Sequence, residues 1–107
     1  MTLKPVLTSA ASGLRASSLR ATSAADNIVN ALTPGYEAST VRQKTVYSGP
    51  APGGSSAVDA QLIGTGLAPD LGQEITKLIE AKTVYRANAE VLNTASELSR
   101  ETINALV

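Results

Sequence analysis

The sequence predicts a mainly α protein: two long helices, one at each end, forming a coiled-coil-like pair, with a short β-hairpin or extended segment between them. Three observations carry this. An apolar seam at alternating four- and three-residue steps runs through Leu7, Ala11, Leu14, Ser18, Ala21, Ala25, Ile28 and Leu32. A second runs through Leu71, Ile75, Leu78, Lys82, Tyr85, Ala89, Leu92, Ser96, Ser99, Ile103 and Leu106. The stretch between them is rich in Gly, Pro and Ser. A mean period of 3.5 residues marks helices that wind around partner helices.

The first helix is expected from about Val6 to Leu32, after a short leader at residues 1–5. Gly13 is its weak point, costing ~1 kcal/mol relative to alanine. Thr33-Pro34-Gly35-Tyr36 stops it. Proline disfavours the helical conformation at Thr33, and Pro34-Gly35 fits the centre of a type II turn, where glycine takes the positive φ. Residues 39–47, rich in β-branched side chains, read as a strand or extended segment. Residues 48–56 read as a loop, and residues 57–63 as a second strand pairing back on the first. A flexible linker is the alternative for this middle stretch.

The second helix is expected from Pro69 or Asp70 to about Leu106. Pro69 suits a first helical turn, Asp70 and Glu74 complement the macrodipole at the start, and Arg100 does so near the end. Arg86 and Glu90 form an i,i+4 pair in the less favourable orientation. Lys82 is a misfit on its seam: either it snorkels, or the seam shifts there to Ala81 and Val84. The chain thus divides into residues 1–35, 36–68 and 69–107, one structural domain completed by oligomerisation.

Composition points to such completion. The 107 residues are 43% hydrophobic, but there is no Phe or Trp, and Tyr36, Tyr47 and Tyr85 are the only aromatics. Without large aromatics, disulfides or an evident metal site, a monomer of this size is marginal. Nine basic and nine acidic residues balance to zero, which argues against a nucleic-acid partner. No apolar run reaches the roughly 20 residues needed to span a bilayer. The N-terminus is a poor secretory signal, so any export is expected to proceed without a cleaved one.

Catalysis is hard to place. There is no His and no Cys, so no His-based triad, His metal site or thiol chemistry is available. Gly64-x-Gly66 lacks the third glycine of a dinucleotide loop. Glu74, Glu80, Glu90, Glu97 and Glu101 spread along one helix as a solvated face rather than as paired acid and base. No cofactor, catalytic residue or small-molecule substrate is expected.

Two segments carry a family resemblance. Ser12-Gly13-Leu14-Arg15-Ala16, followed by Ala25-Asp26-Asn27-Ile28-Val29-Asn30-Ala31-Leu32-Thr33-Pro34-Gly35-Tyr36, resembles the N-terminal signature of the bacterial flagellar rod and hook proteins. Asp70-Leu71-Gly72-Gln73-Glu74-Ile75, Leu78-Ile79-Glu80-Ala81 and Tyr85-Arg86-Ala87-Asn88-Ala89-Glu90-Val91-Leu92-Asn93-Thr94-Ala95 resemble that family's C-terminal block. The last run is most similar to proximal-rod members, as is the lack of a large middle domain. The full Thr-Pro-Gly-Tyr turn is shared with distal-rod and hook proteins. Asp26, Val29, Leu32 and Lys82-Thr83 depart from the common pattern.

The resemblance implies a structural axial subunit of the basal-body rod. Such subunits are exported by the flagellar type III apparatus and assembled in the periplasm into a helical tubular shaft, which transmits torque and surrounds the export channel. The implied partners are other copies of the chain, other rod proteins and the export apparatus, with no nucleic acid and no direct membrane insertion. The assembly interface is expected at Leu7, Ala11, Leu14, Ala21, Ala25, Asn27, Ile28, Asn30 and Leu32 of the first helix. On the second it is expected at Leu71, Ile75, Leu78, Tyr85, Asn88, Ala89, Leu92, Ile103 and Leu106. Thr33, Pro34, Gly35 and Tyr36 form the turn. Asn27 and Asn30 are read either as local caps or as groups that fix register against a neighbour; Asn88 carries the same ambiguity. The competing reading is a soluble helical-hairpin module, such as an export chaperone or adaptor, that caps other proteins' helices.

Overall fold

The computed structural model describes residues 4–49 and 55–106. Its elements, in order, are helix α1 (Lys4–Val29), strands β1 (Ser39–Ser48) and β2 (Ser55–Gly64), and helix α2 (Leu71–Leu106). Of the leader expected at residues 1–5, Lys4 and Pro5 belong to α1 instead, and residues 1–3, like the loop tip at residues 50–54, lie outside the described residues.

Both helix starts follow from their sequences. Lys4 and Pro5 are already helical, as proline at a first turn allows. Asp70 Oδ1 accepts from the Gln73 N–H at 3.1 Å, and Asp70 O accepts the first helical bond from Glu74 N at 2.9 Å. Asp70 is therefore the N-cap, and α2 begins one residue after it. The other end of α1 comes earlier than expected, at Val29 rather than Leu32. There the Asn30 side-chain amide donates to Asp26 O at 2.9 Å, while Ala31 N reaches back only to Ile28 O. The Thr33–Tyr36 turn forms as expected. Tyr36 N donates to Thr33 O at 3.3 Å, and Gly35 has a φ of 76°.

The middle stretch is a hairpin and not a free linker. β1 and β2 pair antiparallel in unbroken register from Ser39 opposite Gly64 to Ser48 opposite Ser55. At its base, Ala38 N donates to Leu67 O, and both Thr65 N and Thr65 Oγ1 donate to Ala38 O.

Helix α1 is the central element: it packs against α2 and, on an adjacent face, against the hairpin, while α2 packs against α1 alone. The two helices run antiparallel. Gly13, Arg20 and Asn27 of α1 approach Asn88, Glu80 and Glu74 of α2 in turn. The described residues extend 62 × 28 × 14 Å, a flat slab.

The helices meet through small residues. The buried apolar residues among those described are all alanines: Ala10, Ala16, Ala24, Ala38, Ala81 and Ala95. A Cβ on Gly13 would lie 2.7–2.8 Å from the Asn88 side chain. The contact rows are therefore Ala10, Ser17, Ala24 on α1 and Glu74, Ala81, Asn88, Ala95 on α2, spaced by sevens. Both lie one residue before the expected seams. The period was read correctly, but the large side chains are not what the helices bury against each other: backbones close enough for Gly13 to touch Asn88 leave no room for facing leucines.

Candidate assembly surface

Each expected seam sits one residue past the contact row, a rotation of about 100° at 3.6 residues per turn. On α1 this rotation leads away from the hairpin, which covers Ser12, Ala16 and Ser23. On antiparallel helices, equal rotations turn both seams to the same side of the pair. The two seams therefore lie side by side on one face of the slab, opposite the hairpin, instead of facing each other.

The large residues of both seams lie on this face, while Val91 and Leu98 of α2, also about half exposed, line a separate groove with Val6. Leu71, Ile75, Tyr85 and Ile103 are 45–58% exposed, Leu106 83% and Leu32 96%. Leu7 is at the edge of exposure, while Ala11, Leu14, Ala21, Ala25, Ile28, Leu78, Ala89 and Leu92 are half-buried. Lys82 is exposed and Ala81 fully buried, so the contact shifts to Ala81. An open apolar face beside an alanine core leaves much apolar surface in contact with water.

A buried polar clasp holds this arrangement in register. Asn27, fully buried, donates from Nδ2 to Ser39 O at 2.7 Å and to Glu74 Oε2 at 2.9 Å. Its Oδ1 accepts from Ser39 N at 2.9 Å and, at a longer 3.4 Å, from the Tyr36 hydroxyl. The amide thus mimics a strand partner for the first residue of β1 while gripping the first turn of α2. Ser23 Oγ adds a bond to Ser39 O at 3.0 Å. Glu74, 3% exposed, is also reached by Lys77 Nζ at 3.3 Å. Burial in this environment is tolerable because each partner satisfies another.

The three asparagines separate by role. Asn27 is satisfied inside the chain. Asn30 closes the end of α1, also accepting from Thr33 Oγ1 at 3.2 Å. Asn88 Nδ2 donates to Val84 O on its own helix at 3.1 Å, which holds it against Gly13. Sequence reading did not single out Ser39, and it read Glu74 as a macrodipole partner on a solvated face, whereas Glu74 turns inward to meet Asn27 and is buried. The signal for Glu74 was its place one heptad before Ala81.

Nothing among the described residues forms a metal cluster of His, Cys, Asp or Glu, and no described helix is long and apolar enough to cross a membrane. The groove above Arg20, beside Thr40, Gln43, Glu74 and Glu80, is polar and bridged by Arg20 and Glu80 at 3.5 Å.

The architecture is a helix pair that carries an open apolar face and a small hairpin. Residues 70–105 match the family model described as flagellar basal body rod FlgEFG protein C-terminal. The match spans α2 and its cap and supports a place in the flagellar rod and hook family, which is structural and not enzymatic. It points to a structural component of the flagellar basal body. A comparison with curated proteins finds no match to the chain.

Proposed function

We propose that this chain is a rod subunit of the proximal type, which assembles with copies of itself and with other rod proteins into a helical tubular shaft around the export channel. It reaches the periplasm through the flagellar type III export apparatus without a cleaved signal. The open face carries the assembly, with Leu7, Leu14, Ile28, Leu71, Ile75, Leu78, Tyr85 and Leu92 packing against neighbours. The Thr33–Tyr36 turn sets where α1 hands over to the hairpin.

One observation carries this reading most: among the described residues the fully buried apolar side chains are all alanines, while every leucine and isoleucine is half-buried or exposed. Burying a Leu or Ile contributes ~1.5–3 kcal/mol, and here much of that remains to be gained by association. The match of residues 70–105 to the rod C-terminal model supports the rod as the place of that association.

The test is isolation of basal bodies from a strain expressing a tagged copy of the chain. Recovery of the chain in the rod fraction, with motility lost on deletion, is the expected result. A chain absent from basal bodies overturns the proposal. Circular dichroism of the dilute protein adds a second check, since termini short of partners should be only partly helical.

A further inference from the structure

The edges of the helix pair, distinct from its open face, carry unpaired charges. Opposite the α2 contact row, α1 presents Lys4, Arg15 and Asp26. Opposite the α1 contact row, α2 presents Arg86, Glu90, Glu97 and Glu101. All are exposed, and the ion pairs among the described residues, Arg20–Glu80 and Lys77–Glu74, use none of them. The Arg86–Glu90 pair suggested by their spacing is not closed.

These two edges complement each other. At one end of the pair, the α1 edge is basic (Lys4, Arg15) and the α2 edge acidic (Glu90, Glu97, Glu101). Resting on the proposed self-assembly, we infer that the α1 edge of one copy docks on the α2 edge of a second copy lying in the same direction beside it. An unshifted placement sets Arg15 against Arg86, which repels. A shift of four residues, about 6 Å along the axis, sets Arg15 against Glu90 and Lys4 against Glu101 together.

The contact is heterologous: each copy offers a different edge to each neighbour. Such contacts propagate without limit unless a rotation closes them. A stagger of about 6 Å per step prevents a flat ring from closing, so the row continues as an open array. The unshifted register repels at Arg15 and Arg86, and a shift of eleven residues, which would set Arg15 against Glu97 and Asp26 against Arg86, gives up about 10 Å more of the overlap between the helices.

The chain has no cysteine, so disulfide trapping tests the contact directly. Arg15→Cys and Glu90→Cys sit on opposite edges of one copy and cannot meet within it. Mixing the two single variants should give a 15–90 crosslinked dimer, and the double variant should give a ladder of multimers, both weakened by salt. Separately, Arg15→Glu should lower self-association about tenfold, and adding Glu90→Arg to the same chain should restore it.

Crosslinks forming mainly between two copies of Arg15→Cys, a charge swap without rescue, or preferential trapping of Arg15→Cys with Glu97→Cys would each overturn the four-residue contact. If the contact fails while the chain is still recovered in basal bodies, the rod assignment stands without it. Absence from basal bodies removes the assignment itself.

Discussion

The Asn27 side-chain amide donates to Glu74 Oε2 at 2.9 Å, across 47 residues of sequence. Through this bond the last turn of α1 grips the first turn of α2, and the same amide brackets both backbone polar groups of Ser39. Three elements therefore meet at one side chain, and the register of the antiparallel helices begins there.

Replacing Asn27 tests the clasp. Asn27→Ala strands the Glu74 carboxylate and the Ser39 backbone groups and should cost about 2–3 kcal/mol. Asn27→Asp should cost more at neutral pH, because it sets a second carboxylate against Glu74. Urea unfolding monitored by far-ultraviolet circular dichroism ranks the two. An Asp variant as stable as wild type would remove the clasp from the account.

Glu74→Gln keeps an acceptor for Asn27 and should be milder than Glu74→Ala. A double-mutant cycle between Asn27→Ala and Glu74→Ala should show a coupling of about 1–2 kcal/mol, within the range for residues in direct contact. Additive effects would mean that the two side chains act separately.

Ser17 is buried in the helix contact, and its hydroxyl has no partner. Ser17→Ala removes that stranded group and improves helix propensity, so it should stabilise the fold by about 1 kcal/mol. For a domain of this size the rise in Tm is expected to be roughly 4–8 °C. A lower Tm would point to a bond that the hydroxyl makes within the helix.

A Cβ on Gly13 would meet the Asn88 side chain at 2.7–2.8 Å, so a side chain there must displace the Asn88 amide, and a large one the helices as well. Gly13→Leu should lower stability despite the better helix propensity of leucine, and Gly13→Leu combined with Asn88→Ala should recover part of the loss. Thermal melts of the single and double variants decide this.

Leu71 and Ile75 are exposed in the single chain. Ile75→Lys should leave the fold within about 0.5 kcal/mol of wild type while abolishing assembly. Sedimentation velocity for association, together with a melt for stability, separates the two effects. A variant that assembles normally would clear the open face of its assigned role.

Much of the architecture could be read from local signals, because those signals are chemically specific. Proline at 34 and glycine at 35 enforce a turn wherever they occur, Asp70 caps whichever helix follows it, and β-branched residues flanking a Gly/Pro loop favour a hairpin. The heptad period was equally plain. Its phase was not: a repeat at 3.5 residues identifies the faces a helix must bury, not which face meets which partner. The row of leucines drew the seam to Leu14 and Ile75, whereas the chain pairs its helices through Ala10, Ser17, Ala24 and Ala81. Asn27 was legible as a polar residue needing a partner, but its choice between a neighbouring copy and Glu74 was not, because that partner lies far along the chain.

By itself the sequence determined two long helices, the turn after the first, the hairpin between them and an excess of apolar surface, since each depends on neighbours within a few residues. Only the tertiary structure decided that small residues face inward, that both leucine stripes come to one open side, and that Asn27 and Glu74 lock the register. Those outcomes depend on how closely two backbones can approach, and that distance is a property of the folded pair rather than of either helix alone.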